Sequence, residues 1–182
     1  MAVIDSDGGM RRTPPWRILG WGAAGTVLLL PLLVGAPWSG SDYGVMALLL
    51  GGAGLLLELA ARASGDRTYR AGAGVAVVAA FLLLWVNGAV GVLGDEDNPA
   101  NLMFVGVLAI ALAGAFVADF RPAGMARAML ATAAAQLLVG IVALAAGLGS
   151  PGYAGLYEVV LGTGVFGGLW LLSAGLFRRA AV

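Results

Sequence analysis

Long apolar runs alternate with short polar joints along the whole chain, and this alternation is the dominant pattern in the sequence. Each run has about 20 residues, the length that a helix needs to cross a hydrocarbon core of about 30 Å. Since no water inside a bilayer can satisfy a free backbone amide, each run is predicted to be one continuous helix. The pattern predicts six transmembrane helices, over residues 18–36, 43–62, 71–93, 99–120, 126–148 and 156–177.

The joints between these runs are short, so consecutive helices are expected to pack as antiparallel neighbours. We therefore predict an all-α integral membrane bundle in which residues 16–179 form a single domain, preceded by a disordered tail over residues 1–15. One alternative stays open, because Arg11-Arg12 precedes the first run and Val34-Gly35-Ala36 resembles a signal cleavage site. Cleavage there would leave five helices.

The composition agrees with a membrane protein and removes many kinds of chemistry. The 182 residues are 60% hydrophobic and 11% charged, with a mean hydropathy of +0.94; soluble domains carry about 25% charged residues. The chain has no cysteine, no histidine and no lysine. It therefore lacks the main residues of zinc and haem sites, Ser-His catalysis, Schiff-base chemistry and a P-loop. We predict no cofactor and no metal site. A non-catalytic protein is favoured over an intramembrane enzyme, whose catalytic groups would be limited to Glu58, Glu158 and the Asp, Ser, Thr, Tyr and Arg side chains.

The arginines predict the orientation of the helices. All ten lie before the first run, in or directly beside the second and fourth joints, or after the last run: Arg11, Arg12, Arg17, Arg62, Arg67, Arg70, Arg121, Arg127, Arg178 and Arg179. Positively charged joints stay in the cytoplasm, so both termini are predicted to be cytoplasmic in a bacterial inner membrane. The expected partner is the lipid bilayer. A net charge of zero and dispersed arginines argue against nucleic acid.

The third joint carries the only acidic cluster, in the stretch WVNGAVGVLGDEDNPAN over residues 85–101. Asp95, Glu96 and Asp97 lie outside any apolar run and are expected to be solvated. Asn98 followed by Pro99 predicts a helix start, with asparagine capping the first amides and proline at the first helical position. The cluster is interpreted as an acidic, capped turn on the outer face. The alternative is a rim that collects cations or contacts a partner.

Five polar residues within the apolar runs are candidate sites. Glu58 and Arg62 have the i,i+4 spacing of an ion pair at a helix end, and the alternative for them is a proton or ion relay. Asn87, Gln136 and Thr163 are expected to form hydrogen bonds between helices, whereas a polar path for a substrate would require them to face one another. Pairs such as Gly164 and Gly168 have the spacing that allows close helix contact within a chain or between copies. We therefore predict that the protein associates with further copies of itself, as a homo-oligomer, or with a larger membrane complex.

Two segments carry a resemblance to known proteins. Residues 87–104, and residues 120–128 with the sequence FRPAGMARA, resemble a group of small bacterial multi-pass membrane proteins to which no activity is assigned. The resemblance implies a bacterial inner membrane and no particular chemistry. We predict a non-catalytic membrane module, such as an accessory, assembly or oligomeric subunit; the alternative is a small permease or channel for an ion or small solute. Convergence of Glu58, Asn87, Gln136 and Thr163 on one cavity would favour transport.

Overall fold

The computed structural model describes residues 15–182, and there the chain is helical with no strand. The helices are α1 (Pro15–Leu33), α2 (Gly40–Ala63), α3 (Arg67–Ala89), α4 (Met103–Val117), α5 (Pro122–Ala146) and α6 (Tyr153–Arg179), with a 3-10 turn at Pro99–Leu102 before α4. Five of the described helices, α2 to α6, are long and apolar enough to cross a membrane when α4 is counted with its 3-10 turn. The chain is therefore a multi-pass, all-α membrane protein in contact with lipid. The apolar part of α1, Arg17–Leu33, is shorter.

The helix ends differ from the predicted ones by up to four residues. The third helix ends at Ala89 rather than at 93, because residues 90–93 turn back into the joint. The fourth ends at Val117 rather than at 120, because Asp119 and Phe120 have φ angles of 50° and 54°. The fifth starts at Pro122 rather than at 126. Hydropathy locates the apolar middle of a helix, whereas local turn geometry decides where it ends.

The predicted single domain, 16–179, is divided in the structure into two compact units, one that extends to Leu55 and one at Leu56–Val182. In the first unit, Ser39 and Asp42 cap α2 reciprocally: the Ser39 amide donates to the Asp42 carboxylate at 2.7 Å, and the Asp42 amide donates to the Ser39 hydroxyl at 3.3 Å. The ring of Trp21 on α1 lies against Gly54 on α2. The predicted disordered tail lies outside the described residues, except for Pro15.

In the unit Leu56–Val182, α6 packs between α3 and α5, and α5 also packs against α4. The Ser173 hydroxyl on α6 donates to the Gly72 carbonyl on α3 at 2.8 Å, and Trp170 and Phe177 on α6 are fully buried. Helices α3 and α4 hardly touch each other. The expectation that consecutive helices are packed neighbours is therefore wrong for this pair. The joint between α3 and α4 is long enough to let them separate, and a cavity lies between them.

Candidate functional site

The joint between α3 and α4 is held by the side chain of Asn101, which is 4% exposed. Its Oδ1 accepts hydrogen bonds from the backbone amides of Val92 at 3.1 Å and Leu93 at 2.9 Å. Its Nδ2 donates to the carbonyl of Asp95 at 2.7 Å. The chain can make this turn because Gly91 has a φ of +75° and no Cβ, which would otherwise meet the Asp95 carbonyl. The buried side-chain amide of Asn101 thus bonds backbone groups that follow the end of α3 and have no helical partner.

Two further asparagines extend this network. The Asn98 Nδ2 donates to the Leu93 carbonyl at 2.9 Å and to the Leu148 carbonyl at 2.8 Å, and so ties the α3–α4 joint to the α5–α6 joint. Its Oδ1 accepts from the Ala100 amide, which confirms the predicted cap. The Asn87 Nδ2 donates to the Asn101 carbonyl at 3.3 Å. Asn87 therefore belongs to this joint and lies at the end of the unit.

The acidic cluster lies on the surface of the same joint. Asp95, Glu96 and Asp97 are all exposed, and the bonded atom of Asp95 is its backbone carbonyl. Glu158 on α6 accepts hydrogen bonds from the hydroxyl of Ser150 at 2.8 Å and from its amide at 3.3 Å. Within residues 15–182 no group of three or more histidines, cysteines or carboxylates is placed to hold a metal ion. The structure gives these carboxylates no common ligand.

The opposite end of the unit is joined through Tyr69, which is 1% exposed. Its hydroxyl donates to the Phe120 carbonyl in the α4–α5 joint at 2.7 Å, and its ring packs edge-on against Phe177 near the end of α6, with the ring centroids 5.0 Å apart. Three chain segments rich in arginine therefore meet at one end. They carry all seven arginines of this unit: Arg62, Arg67, Arg70, Arg121, Arg127, Arg178 and Arg179.

The two ends of this unit consequently have opposite charge. Three carboxylates, Glu58, Asp66 and Asp119, lie among the seven arginines, which leaves a formal charge of +4. The other end has the acidic cluster and Glu158, four carboxylates with no arginine, and so carries −4. We call these the arginine end and the acidic end. The structure thus supports the segregation of charge that the sequence predicts; which side of a membrane each end faces stays a prediction.

The candidate polar residues are not brought together. Arg62 donates to Glu58 across 3.4 Å in the last turns of α2, the spacing expected of the predicted pair. Thr163 on α6 lies against Gly140 on α5, where a Cβ would collide with its hydroxyl. Gln136 is one helical turn from Gly140 and Asn87 is in the acidic-end joint. Because these residues lie at three different depths, they do not converge on one site.

Gln136 is a fully buried polar side chain on α5. Neither its amide oxygen nor its amide nitrogen has a hydrogen-bond partner among the described residues, and the same holds for the indole Nε1 of Trp170. The neighbouring Thr132, also fully buried, donates to the Ala128 carbonyl at 2.9 Å in its own helix. The predicted interhelical hydrogen bond of Gln136 is therefore absent between described residues.

An apolar cavity of about 220 Å³ lies between α3 and α4, with α5 and α6 behind it and the last turns of α2 beside it. Of its 16 lining side chains only Tyr69 and Trp170 carry a polar atom. Glu58, Asn87, Gln136 and Thr163 do not line it. The structure therefore places a cavity and the candidate polar residues in different parts of the unit.

The sequence analysis did not single out Asn101 at the acidic end, or Tyr69, Trp170 and Ser173 toward the arginine end. A signal for Trp170 was present, since tryptophan favours membrane interfaces and this one lies well inside the last apolar run. The partner of Tyr69 is 51 residues away in sequence, so no local pattern indicates it.

No protein-family model matches this sequence, and neither the curated proteins nor the solved structures contain a chain similar to it. The class that the fold itself defines is a small multi-pass helical membrane protein. Function must therefore be argued from the geometry of the chain alone.

Proposed function

We propose that this protein is a non-catalytic module of a bacterial inner membrane, which acts as an oligomeric, accessory or assembly subunit with both termini in the cytoplasm. The observation that carries the proposal is the separation of the polar side chains from the cavity. A transported ion or polar solute needs successive polar contacts across the bilayer, whereas the cavity between α3 and α4 is lined almost entirely by hydrocarbon.

An uncovered face on α6 supports association with another helix. Gly164 and Gly168 are both exposed, and a Cβ built on either would have no neighbour within 4 Å. Their four-residue spacing is the one that lets two membrane helices approach closely. The adjoining Leu161 and Leu172 are also exposed, at 49% and 53%. Such a face has room for a second helix from another copy or from a partner.

Substitution on this face tests the proposal. The tagged protein is extracted with its native lipids in polymer nanodiscs, and the mass of the assembly is compared with the 18.2 kDa of one chain. We expect an assembly larger than one chain, which Gly168→Leu dissociates. Gly106→Leu is the matched control, because Gly106 on α4 is exposed and without neighbours as well. A single chain in the unsubstituted protein, or equal effects of the two variants, would contradict the proposal.

A permease or channel is the second candidate, and it is favoured by one observation. The unpartnered amide of Gln136 and the unpartnered indole of Trp170 are fully buried polar groups inside apolar helices. Buried polar groups in a bilayer are costly, and those that persist often mark a pathway. Flux of ions or small solutes into proteoliposomes, lost in Gln136→Leu, would favour this candidate over the module.

A further inference from the structure

The cavity between α3 and α4 has the shape of a narrow channel along the helices. Its α3 wall runs from Tyr69 to Leu84; fifteen residues at 1.5 Å each give a length of about 22 Å. Six of the lining residues are alanines, whose small side chains leave space between the helix backbones unfilled. Trp170 and Met129 form its floor on α6 and α5. A volume of about 220 Å³ over this length is too small for another helix, which is 10–12 Å wide.

The channel opens sideways toward the lipid. Leu84 on α3 and Leu112 on α4 both line it, and they are 40% and 50% exposed. They therefore stand at its edge, where α3 and α4 are apart. Phe120, which also lines the channel, is in edge contact with Phe116, and Phe116 is 62% exposed on the lipid side of α4. An elongated apolar group in the surrounding bilayer has direct access.

Charge distinguishes the two ends of the channel. Tyr69, Phe120 and Met125 line the part at the arginine end, and each is within two residues of an arginine in sequence. Arg67 and Arg121 are exposed there. Arg121 forms an exposed ion pair with Asp119 at 3.6 Å, and Arg67 has no hydrogen bond or ion pair among the described residues. The opposite end of the unit carries four carboxylates and no arginine. The field therefore attracts an anionic group to the arginine end of the channel, which we call its mouth, and repels it from the other end.

We propose that this channel binds one acyl chain of an anionic phospholipid, whose phosphate lies among the arginines of the mouth. The length and width of the channel select a flexible hydrocarbon chain, and the charge selects the leaflet and the headgroup. This site is independent of the proposed association through α6, because the channel faces outward between α3 and α4.

Trp170 provides an internal probe. The other four tryptophans, at positions 16, 21, 38 and 85, are changed to phenylalanine, so that the full chain fluoresces from Trp170 alone. The protein is reconstituted in vesicles of phosphatidylcholine with or without phosphatidylglycerol, one lipid at a time carrying brominated chains. Because Trp170 is fully buried and lines the channel, bromine quenches it efficiently only from a chain inside the channel.

We expect brominated phosphatidylglycerol to quench Trp170 about twofold or more above brominated phosphatidylcholine at equal mole fraction. Ala111→Leu, which fills the channel from α4, should abolish this excess. Ala113→Leu is the matched control on the same helix, since Ala113 is exposed and does not line the channel. If Ala111→Leu does not fold, Ala76→Leu fills the channel from α3. Arg67→Gln combined with Arg121→Gln should lower quenching by phosphatidylglycerol to the level of phosphatidylcholine.

Any of the following results would contradict the proposed lipid site. Equal quenching by the two lipids would exclude recognition of an anionic headgroup. An excess that survives Ala111→Leu, or that Ala113→Leu removes equally, would place the chain outside the channel. Excess quenching by phosphatidylglycerol that persists after the double arginine substitution would show that Arg67 and Arg121 do not bind the headgroup.

Discussion

The two ends of the unit Leu56–Val182 make their turns in different ways. At the acidic end, the side chains of Asn98 and Asn101 form hydrogen bonds with six backbone groups in two joints. At the arginine end, the α4–α5 turn has two successive non-glycine residues in the left-handed region, Asp119 and Phe120, and one side-chain hydrogen bond from Tyr69 holds it. Beside that turn the helices separate and leave the apolar channel.

This difference shows how an apolar chain of few polar residues distributes its hydrogen bonds. A buried backbone group without a partner costs more than a hydrogen bond returns, so polar side chains are most valuable where the chain must leave the helix. Near the channel the walls are helical and their backbone is already satisfied. The channel can therefore remain open to lipid along its side at little cost in hydrogen bonds.

The largest effect is expected from Asn101→Ala at the acidic end. The change removes the partners of two buried amides and one carbonyl, and each unsatisfied group costs roughly 1–3 kcal/mol. We expect the free energy of unfolding in mixed micelles to fall by about 3 kcal/mol. Glu96→Ala is the control in the same joint, since Glu96 is exposed. Similar losses for both variants would contradict the assignment of the turn to Asn101.

Tyr69→Phe tests the side-chain hydrogen bond that holds the α4–α5 turn at the arginine end. The ring and its contact with Phe177 are kept, and the hydroxyl that holds the Phe120 carbonyl is removed. We expect a loss of about 1 kcal/mol, smaller than for Asn101→Ala. Faster amide exchange at residues 119–121, with exchange at residues 90–95 unchanged, would locate the effect. A loss as large as that of Asn101→Ala would mean that the two ends are held equally firmly.

Gln136→Leu tests the region between the two ends. The amide has no described partner, so replacing it with an apolar group of similar size removes a desolvation penalty and no bond. The free energy of unfolding is expected to stay constant or to rise by up to about 1 kcal/mol. Thr132→Val provides the comparison, because its hydroxyl is bonded to the Ala128 carbonyl. A clear loss for Gln136→Leu would reveal a partner outside the described residues.

The smallest effect is expected from Arg62→Ala. The arginine side chain is 69% exposed, and an exposed i,i+4 pair contributes only a few tenths of a kcal/mol. The effect should be smaller still in a Glu58→Gln background, as measured by a double-mutant cycle of unfolding free energies. Strictly additive substitutions would show that the pair has no energetic coupling.

Much of the fold could be predicted from the sequence alone. The length of the apolar runs, and the lack of water inside a bilayer to bond free backbone amides, determine that the spans are helices. The cap formed by Asn98 is a local signal that can be read from the sequence. The grouping of arginines follows from the same one-dimensional pattern. The pair Glu58 and Arg62 could also be predicted, because both residues are on one helix and its geometry brings positions four apart together.

Only the tertiary structure decided which helices are neighbours and where space remains. Two hydrogen bonds, from Tyr69 to Phe120 and from Ser173 to Gly72, join segments that are far apart in sequence. The channel is likewise lined by residues from several distant segments. Hydropathy carries no information about them, because a lipid-facing alanine and an alanine that lines a cavity are equally apolar. The physical reason is that lipid and protein interior are similar solvents for hydrocarbon, so shape and a few hydrogen bonds select the packing.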